Sequence, residues 1–326
     1  MMSLRSDVLI KTMRENKGWT QDELARATEL TSTTISRIER GVSKPDWHSF
    51  EKILLALDGN PYDYDHIYHR GITTKEDERI ADLRSKLRGL LRNNDPNNYD
   101  EAKDMFCKLE SDNSFMQKGY NRSFLWRQKT TLAIYQGDYD DAYQYAFEAL
   151  KVTKPNFCED SINSLDKHIV GIDEAWSLNH IALVYFQRKK IEESTDILFY
   201  LKDAVNNSWL GGDEKIRLYI AVIYNLTTNL GILKKHKDCL PICDIGVKLC
   251  LKYQHSHHHP MLVFNKAYNL LHLKKEQEAM SLLEKCINLF SGFERHNELS
   301  QIEEFLKNEF QIEISPLKLQ KQASVQ

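Results

Sequence analysis

The stretch Thr20–Gly41, TQDELARATELTSTTISRIERG, decides the fold of the N-terminal part of the chain. Thr20 and Glu23 form a capping box, in which each side chain satisfies a backbone N–H of the other residue, so a helix begins here. The apolar pattern then breaks, and a second short helix opens near Thr31 or Ser32. Two short helices joined by a turn of about three to four residues are typical of a helix-turn-helix.

The second helix combines two apolar anchors with a polar face. Ile35 and Ile38 are its strongly apolar residues, and most of the other side chains are short hydroxyls and guanidinium groups. That composition suits the major groove of DNA, where Arg pairs with guanine and the Thr methyl contacts thymine. A short amphipathic surface helix shows the same pattern, so the prediction of DNA binding also depends on the capped helix and turn that precede it.

The whole pattern resembles the phage-repressor-like helix-turn-helix domains of bacteria. The resemblance rests on TQDELA (20–25), ISRIERG (35–41) and the following Pro45, and it covers residues 4–68. It implies a phosphate contact from the start of the first helix, base contacts from the second helix and backbone contacts beyond it. In that order, the predicted DNA-binding residues are Gln21, then Ser32, Thr33, Ser36 and Arg37, then Arg40 and Lys44.

The turn departs from that family at one position. Where the family usually has Gly, this chain has Glu29. A residue other than Gly with positive φ is uncommon, so we expect a turn that is either slightly different or mildly strained.

The charge balance predicts only a local basic surface. Residues 1–70 contain 10 Lys and Arg against 11 Asp and Glu, and residues 1–45 contain 8 against 6. The nonspecific electrostatic part of DNA affinity should therefore be modest. A homodimer that reads two half-sites would compensate for it.

Length and composition indicate an ordinary two-domain protein. The chain has 326 residues and a mass of 38.2 kDa, with 41% hydrophobic and 28% charged residues. No apolar run reaches the roughly 18–20 residues that span a bilayer, and no signal-peptide core is present, so we expect a cytoplasmic protein without a membrane partner. Six scattered Cys residues predict reduced, mostly buried thiols.

Helix signals set the predicted domain boundaries. The first domain should contain helices at Leu4–Asn16 and Asp46–Leu57 around the helix-turn-helix, and a segment with Tyr62, Tyr64, Ile67 and Tyr68 would close a five-helix unit. A boundary at Gly71–Thr74 precedes a helix predicted over Lys75–Leu91. The predicted organisation is a DNA-binding domain at 1–70, a linker and coupling helix at 71–92, a repeat domain for peptide binding and dimerisation at 93–312, and a disordered tail at 313–326.

Helical hairpins with a long repeat follow the coupling helix. Strand signals are nearly absent, and a small residue recurs early in each second helix at separations of 40, 52, 45 and 40 residues. The longest separation includes Pro155–Ile169, which we predict to be a loop. The small residues are Ala102, Ala142, Ser194, Cys239 and Ala279. These units resemble tetratricopeptide repeats, which implies an all-α fold whose hairpins form a right-handed superhelix with a concave groove.

Carboxamides recur at matching points of successive first helices. A carboxamide both donates and accepts hydrogen bonds, so a row of them can pair with the backbone of an extended peptide. Each Asn alone can equally cap or link adjacent helices, but the repetition favours a peptide. The predicted amide row is Gln128, Asn179, Asn225, Asn229, Asn265 and Asn269, with His180 at the matching point of its own helix. Predicted side-chain pockets are formed by Trp176, Tyr185, Tyr224, Phe264 and Tyr268.

The domain order resembles the PlcR and Rgg-type quorum-sensing regulators of Gram-positive bacteria. The similarity is carried by NHIALVYFQRKKIEES (179–194) and YNLTTNLGILKKHKDC (224–239) behind the repressor-like domain. It implies a homodimer that controls transcription at a double-stranded DNA operator and binds a short signalling peptide, with Asn179 and Asn225 gripping the peptide backbone. The peptide would bind one curvature of the repeats better than another, with Lys75–Leu91 as the coupler. In the alternative, the repeats dock a protein partner.

Three other features carry less weight. The run HSHHH (255–259) offers imidazoles to a metal, but a solvated loop is the preferred interpretation, and no metal or cofactor is predicted. Cys239, Cys243 and Cys250 share one helix face, which predicts core packing, with a redox sensor as the alternative. Nothing resembles a nucleotide-binding loop, a nucleophile elbow or a pair of catalytic carboxylates. We therefore predict that the chain is not an enzyme.

Overall fold

A computed structural model describes residues 6–61, 63, 75–92, 94–164, 171–208 and 210–313, and within these ranges every regular element is helical. The chain divides into two compact units, Met1–Leu218 and Tyr219–Gln326, called here the first and second units. The predicted segment from Tyr62 to Tyr68, apart from Asp63, lies outside the described residues. The same holds for the boundary at Gly71–Thr74 and for residues 314–326 of the tail.

The N-terminal domain begins with four helices that enclose a small apolar core. They are α1 (Ser6–Asn16), α2 (Gln21–Thr28), α3 (Ser32–Glu39) and α4 (Trp47–Ala56). The buried core residues include Leu9, Ile10, Leu24, Ile35 and Phe50. Helix α3 packs on both α1 and α2, which places its opposite side on the surface.

Helical hairpins make up the rest of the first unit. It contains α5 (Lys75–Leu91), α6 (Tyr99–Ser111), the short α7 (Asn113–Met116), α8 (Gly119–Gln136), α9 (Tyr139–Thr153), α10 (Ile172–Gln187) and α11 (Ile191–Asn207). The helix predicted over Lys75–Leu91 is confirmed. Between α9 and α10 the described part of the predicted loop contains a 3-10 turn at Glu159–Ser164.

The second unit continues the same pattern. Helix α12 (Gly212–Ile232) starts in the first unit and is followed by α13 (His236–Lys252), α14 (His259–His272), α15 (Glu276–Gly292) and α16 (His296–Phe310). The core of this unit is formed by α14, α15 and α16 around Phe290, Ile287 and Leu306.

The predicted repeat register is confirmed by burial. The small residue is the fourth residue of its helix in α6, α9, α11, α13 and α15, and each one is almost completely inaccessible to solvent. Five residues earlier the chain turns through the left-handed region, at Gly137, Lys189, Lys234 and Lys274. The hairpins therefore share one turn geometry and one close-packing position, as expected for tetratricopeptide-like repeats.

Candidate functional sites

Local capping positions the two helices of the helix-turn-helix. The Glu23 N–H donates to the Thr20 hydroxyl at 3.2 Å, and the Thr20 N–H donates to the Glu23 carboxylate at 2.6 Å, which lowers the pKa of Glu23. Helix α2 ends at Glu29 with φ of 58°, so of the two alternatives expected for this turn the structure has the one with a residue other than Gly at positive φ. Thr31 then caps α3 by accepting the Thr34 N–H at 3.1 Å.

The outer face of α3 presents hydroxyl and guanidinium groups. Ile35 and Ile38 are buried against the domain, and the other side of the helix is accessible to solvent. On that side Ser32 contacts the Asp22 carboxylate. The predicted residues that are exposed are Thr33, Arg37, Arg40 and Lys44, and those that are half-buried are Ser32 and Ser36. The structure therefore places all six of these residues at an accessible surface.

Gln21 lies differently from the expectation. Its side-chain amide donates to the Glu39 carboxylate at 2.9 Å, and the same carboxylate accepts two bonds from the Arg14 guanidinium at 2.6 and 2.8 Å. These three residues connect α1, α2 and α3 beneath the exposed face. The bond to Glu39 uses one of the two N–H groups of the Gln21 amide, so it does not by itself prevent a phosphate contact from the other.

In the first unit, the predicted peptide-contacting residues lie on α8 and α10. Gln128 and Asn179 are buried, and Tyr185 is buried with its ring stacked on Tyr143 at a centroid distance of 6.0 Å. Burial lowers the pKa of the neighbouring His180 to about 3, so this imidazole is neutral near pH 7. The polar row in this unit is therefore enclosed by protein.

A buried charge network adjoins these residues, and it was missed by sequence reasoning. The Asp173 carboxylate pairs with Arg127 at 2.9 Å and with Arg84 at 3.4 Å. Arg127 also lies 3.6 Å from the Glu214 carboxylate, which accepts the Trp176 indole N–H at 3.2 Å. The partners are separated by up to 89 residues in the chain, so no local pattern signals the network.

In the second unit, two of the predicted carboxamides are engaged between helices. The Asn265 amide donates to the hydroxyls of Thr227 and Thr228 at 3.0 and 3.1 Å. Asn269 is 0% exposed. Its amide donates to the Asn265 carbonyl at 2.6 Å and to the Cys239 sulfur at 3.2 Å, and its oxygen lies 2.8 Å from His236 Nδ1. These contacts correct the prediction for Asn265 and Asn269, because their carboxamides link α14 to α12 and α13.

The remaining amides differ in accessibility. Asn229 is buried, whereas Asn225 is half-buried on the same helix. Tyr224, next to Asn225, is half-buried and stacks on His258 at a centroid distance of 5.0 Å. Asn225 and Tyr224 are thus the predicted contacts on α12 that solvent reaches.

The predicted pocket residues on α14, Phe264 and Tyr268, belong to an aromatic cluster. The ring of Tyr268 packs edge-on to those of His272 and Phe310, at centroid distances of 4.6 and 5.9 Å. Its centroid lies 6.5 Å from that of Phe264. Phe305 joins the cluster and is 39% exposed. Phe264 is buried and Tyr268 half-buried, so the cluster presents part of its apolar surface to solvent.

Metal and redox sites find no support among the described residues. No group of three or more His, Cys, Asp or Glu side chains in this part of the chain is arranged to hold a metal ion. The sulfurs of Cys239 and Cys243 lie 3.7 Å apart in the core, and the contact between them, with burial, raises the pKa of Cys243. A protonated buried thiol is a poor redox sensor, since the thiolate is the reactive form.

Comparison with known proteins separates the two parts of the chain. Residues 10–64 match the helix-turn-helix family model. Over 92% of the chain, the fold is similar to PlcR of Bacillus thuringiensis in complex with the peptide PapR7 and DNA, at 17% identity, a TM-score of 0.54 and 99% coverage of that chain. It is also similar to the apo form of ComR from S. thermophilus, at 17% identity, a TM-score of 0.51, and 93% and 99% coverage. No curated protein matches the sequence.

These similarities establish the architecture. The chain has a helix-turn-helix domain followed by tetratricopeptide-like helical repeats. No helix in the described ranges is long and apolar enough to cross a membrane.

Proposed function

We propose that this protein is a sequence-specific transcription regulator controlled by a short signalling peptide that binds to its repeats. The observation that carries the DNA-binding half is the exposed face of α3, where Thr33, Arg37 and Arg40 surround a helix anchored by two buried Ile residues. The helix-turn-helix match over residues 10–64 supports the same assignment. The protein would act in the cytoplasm as a homodimer, because two half-sites compensate for a small basic surface.

Arg37 provides the test of the DNA-binding half. Arg37→Ala should weaken binding to the selected operator by about 1–3 kcal/mol and relax the preference at one base pair, since a bidentate contact to guanine is lost. The operator is first selected from a random DNA pool, and affinities are then measured at one salt concentration. Arg92→Ala is the matched control, because Arg92 is exposed and lies outside the helix-turn-helix domain. An unchanged base preference in the Arg37→Ala protein would show that Arg37 does not contact a base in the major groove.

The peptide-binding half is proposed from the repeats. Asn225 offers a half-buried carboxamide beside Tyr224, and Tyr268 and Phe305 offer aromatic surface in the same unit. An extended peptide would pair its backbone with Asn225 and place apolar side chains against these rings. The PlcR structure with the same fold holds both a peptide and DNA, which supports this proposal. The predicted contacts of the first unit, Gln128, Asn179 and Tyr185, are buried and are not part of this proposed site.

Thermal melting tests the peptide-binding half. Short secreted peptides encoded beside the gene should raise the melting temperature saturably, by the equivalent of about 2.7 kcal/mol at a concentration 100 times Kd. Asn225→Ala should weaken binding of the peptide by about 0.5–1.5 kcal/mol, because a hydrogen bond is lost. Asn206 is exposed, and Asn206→Ala should leave the binding free energy unchanged. A shift produced only by a folded protein would favour the alternative, in which the repeats dock a protein partner.

A further inference from the structure

One side-chain hydrogen bond joins the starts of α2 and α3 at the surface of the helix-turn-helix. Asp22 is the second residue of α2, and Ser32 is the first residue of α3. The Ser32 hydroxyl donates to Oδ1 of the Asp22 carboxylate, and the two residues are called here the surface pair. Asp22 is exposed and Ser32 lies on the outer side of α3, so the surface pair belongs to the face proposed to contact DNA.

The surface pair takes no part in capping either helix. At the start of α2, the Glu23 carboxylate accepts from the N–H and the hydroxyl of Thr20 at 2.6 and 2.9 Å. At the start of α3, the Thr31 hydroxyl accepts the Thr34 N–H at 3.1 Å and lies 2.8 Å from the Thr34 hydroxyl. Each cap is therefore complete without the surface pair, whose contact serves another purpose than starting a helix.

The contact fixes what the Ser32 hydroxyl can offer to DNA. A hydroxyl has one hydrogen to donate and two lone pairs that accept, whereas a carboxylate can only accept. The Asp22 carboxylate thus uses the single donor of Ser32. What remains available on the hydroxyl oxygen is an acceptor.

Bases differ in whether they can donate to such an acceptor in the major groove. Adenine presents its N6 amine and cytosine its N4 amine, and both amines donate. At the corresponding place guanine presents O6 and thymine O4, which only accept. An oxygen that can only accept therefore pairs with adenine or cytosine, and it opposes another acceptor at guanine or thymine.

We propose that Asp22 determines base specificity through Ser32: it fixes the hydroxyl as an acceptor, so that the operator has adenine or cytosine at the base that Ser32 contacts. This inference rests on the DNA-binding half of the proposed function and deepens it. A carboxylate on a face that approaches phosphates lowers the nonspecific part of the DNA affinity. Its benefit is discrimination at one base, which phosphate contacts do not provide.

A double-mutant cycle in the full chain tests this role. The four proteins are the unsubstituted chain, Asp22→Ala, Ser32→Ala and the double variant, each measured at one salt concentration against operators with all four bases at every position. Ser32→Ala should identify the contacted position, because the preference there for adenine or cytosine is lost. Asp22→Ala should lower the same preference by about 2- to 10-fold, the effect of one hydrogen bond, since the released hydroxyl can also donate to O6 or O4.

The cycle distinguishes action through the hydroxyl from a direct contact. If Asp22 acts through Ser32, adding Asp22→Ala to Ser32→Ala should change no base preference. A change in that background would mean that the carboxylate itself contacts a base, and the proposal would be wrong. The proposal also fails if Ser32→Ala alters no position, if the preferred base is guanine or thymine, or if Asp22→Ala retains the full preference.

Two controls address net charge and folding. Glu51→Ala removes one negative charge from α4 of the same domain, where Glu51 is half-buried, and should leave every base preference unchanged. A relaxed preference in Glu51→Ala at the same position would assign the effect to net charge and contradict the proposal. Asp22→Ala should bind unrelated DNA at least as tightly as the unsubstituted protein, because a negative charge is lost. Weaker binding of unrelated DNA would mean that Asp22 supports the fold of the domain, which also contradicts the proposal.

The failure of this inference can be told apart from the failure of the proposed function. If no operator can be selected from a random DNA pool, the DNA-binding proposal and the role of Asp22 fail together. If an operator is selected and Arg37→Ala relaxes one base pair, while Asp22→Ala behaves like the unsubstituted protein, DNA binding stands and only the role of Asp22 is refuted.

Discussion

Glu39→Ala should lower the stability of the helix-turn-helix domain by about 3–5 kcal/mol, because it leaves a buried cation without its partner. The Glu39 side chain is 2% exposed and the Arg14 side chain 10% exposed. The bond with Glu39 raises the pKa of Arg14. Without that bond the guanidinium still stays charged, because arginine is not deprotonated in proteins. The Gln21 amide loses its acceptor at the same time.

Native-state hydrogen exchange of the α3 amides measures this effect within the full chain. Protection of α3 should fall by the same free energy, and operator binding should fall with it. Lys52→Ala is the control, since its pair with Glu29 is exposed and contributes no more than about 1 kcal/mol. A loss below about 1 kcal/mol in Glu39→Ala would mean that the domain relaxes to solvate Arg14.

Asp173→Ala should destabilise the first unit by a similar amount, about 3–5 kcal/mol. The substitution removes the carboxylate that pairs with both Arg127 and Arg84, whose guanidinium groups are buried. Asp63 lies near enough for the charge of Asp173 to raise its pKa. Relief of that repulsion offsets part of the loss, so we expect the lower end of the range.

Urea unfolding followed by tryptophan fluorescence measures the change, and Trp176, which lies beside Arg127, contributes to that signal. Asp140→Ala is the matched control, because Asp140 is 94% exposed and pairs only with a partly exposed Arg188 on the described surface. Without the charge of Asp173 the pKa of Asp63 should also fall, which carboxyl-detected NMR can follow. If Asp173→Ala lowers the stability only slightly and leaves the Asp63 pKa unchanged, Asp173 does not pair with Arg127 and Arg84 as described.

Local sequence rules predicted the elements of this fold. The capping box at Thr20 and the helix at Lys75–Leu91 both depend on residues that are close in the chain. The repeat register was likewise predictable, because one small residue must recur wherever two helices of a hairpin approach closely. The exposed face of α3 followed from the spacing of Ile35 and Ile38.

The candidate peptide site was predictable only in part. The sequence placed amides at equivalent positions, and Asn225 is accessible as expected for a contact residue. It could not distinguish a carboxamide that faces a ligand from one that faces a neighbouring helix. The structure shows that Asn265 and Asn269 are of the second kind, because Thr227, Cys239 and His236 lie within reach.

By itself, the sequence determined the helices, their caps and turns, the repeat register and the likeness to peptide-responsive regulators, because each depends on nearest neighbours along the chain or on a fixed period. Only the tertiary structure decided which polar groups are paired. The paired groups are far apart in the chain. Glu39 and Arg14 are separated by 25 positions, Asp173 and Arg127 by 46, and Asp63 and the Ile172 N–H by 109. Such pairings depend on where buried groups meet after the helices pack, since a polar group removed from water must find its partner there.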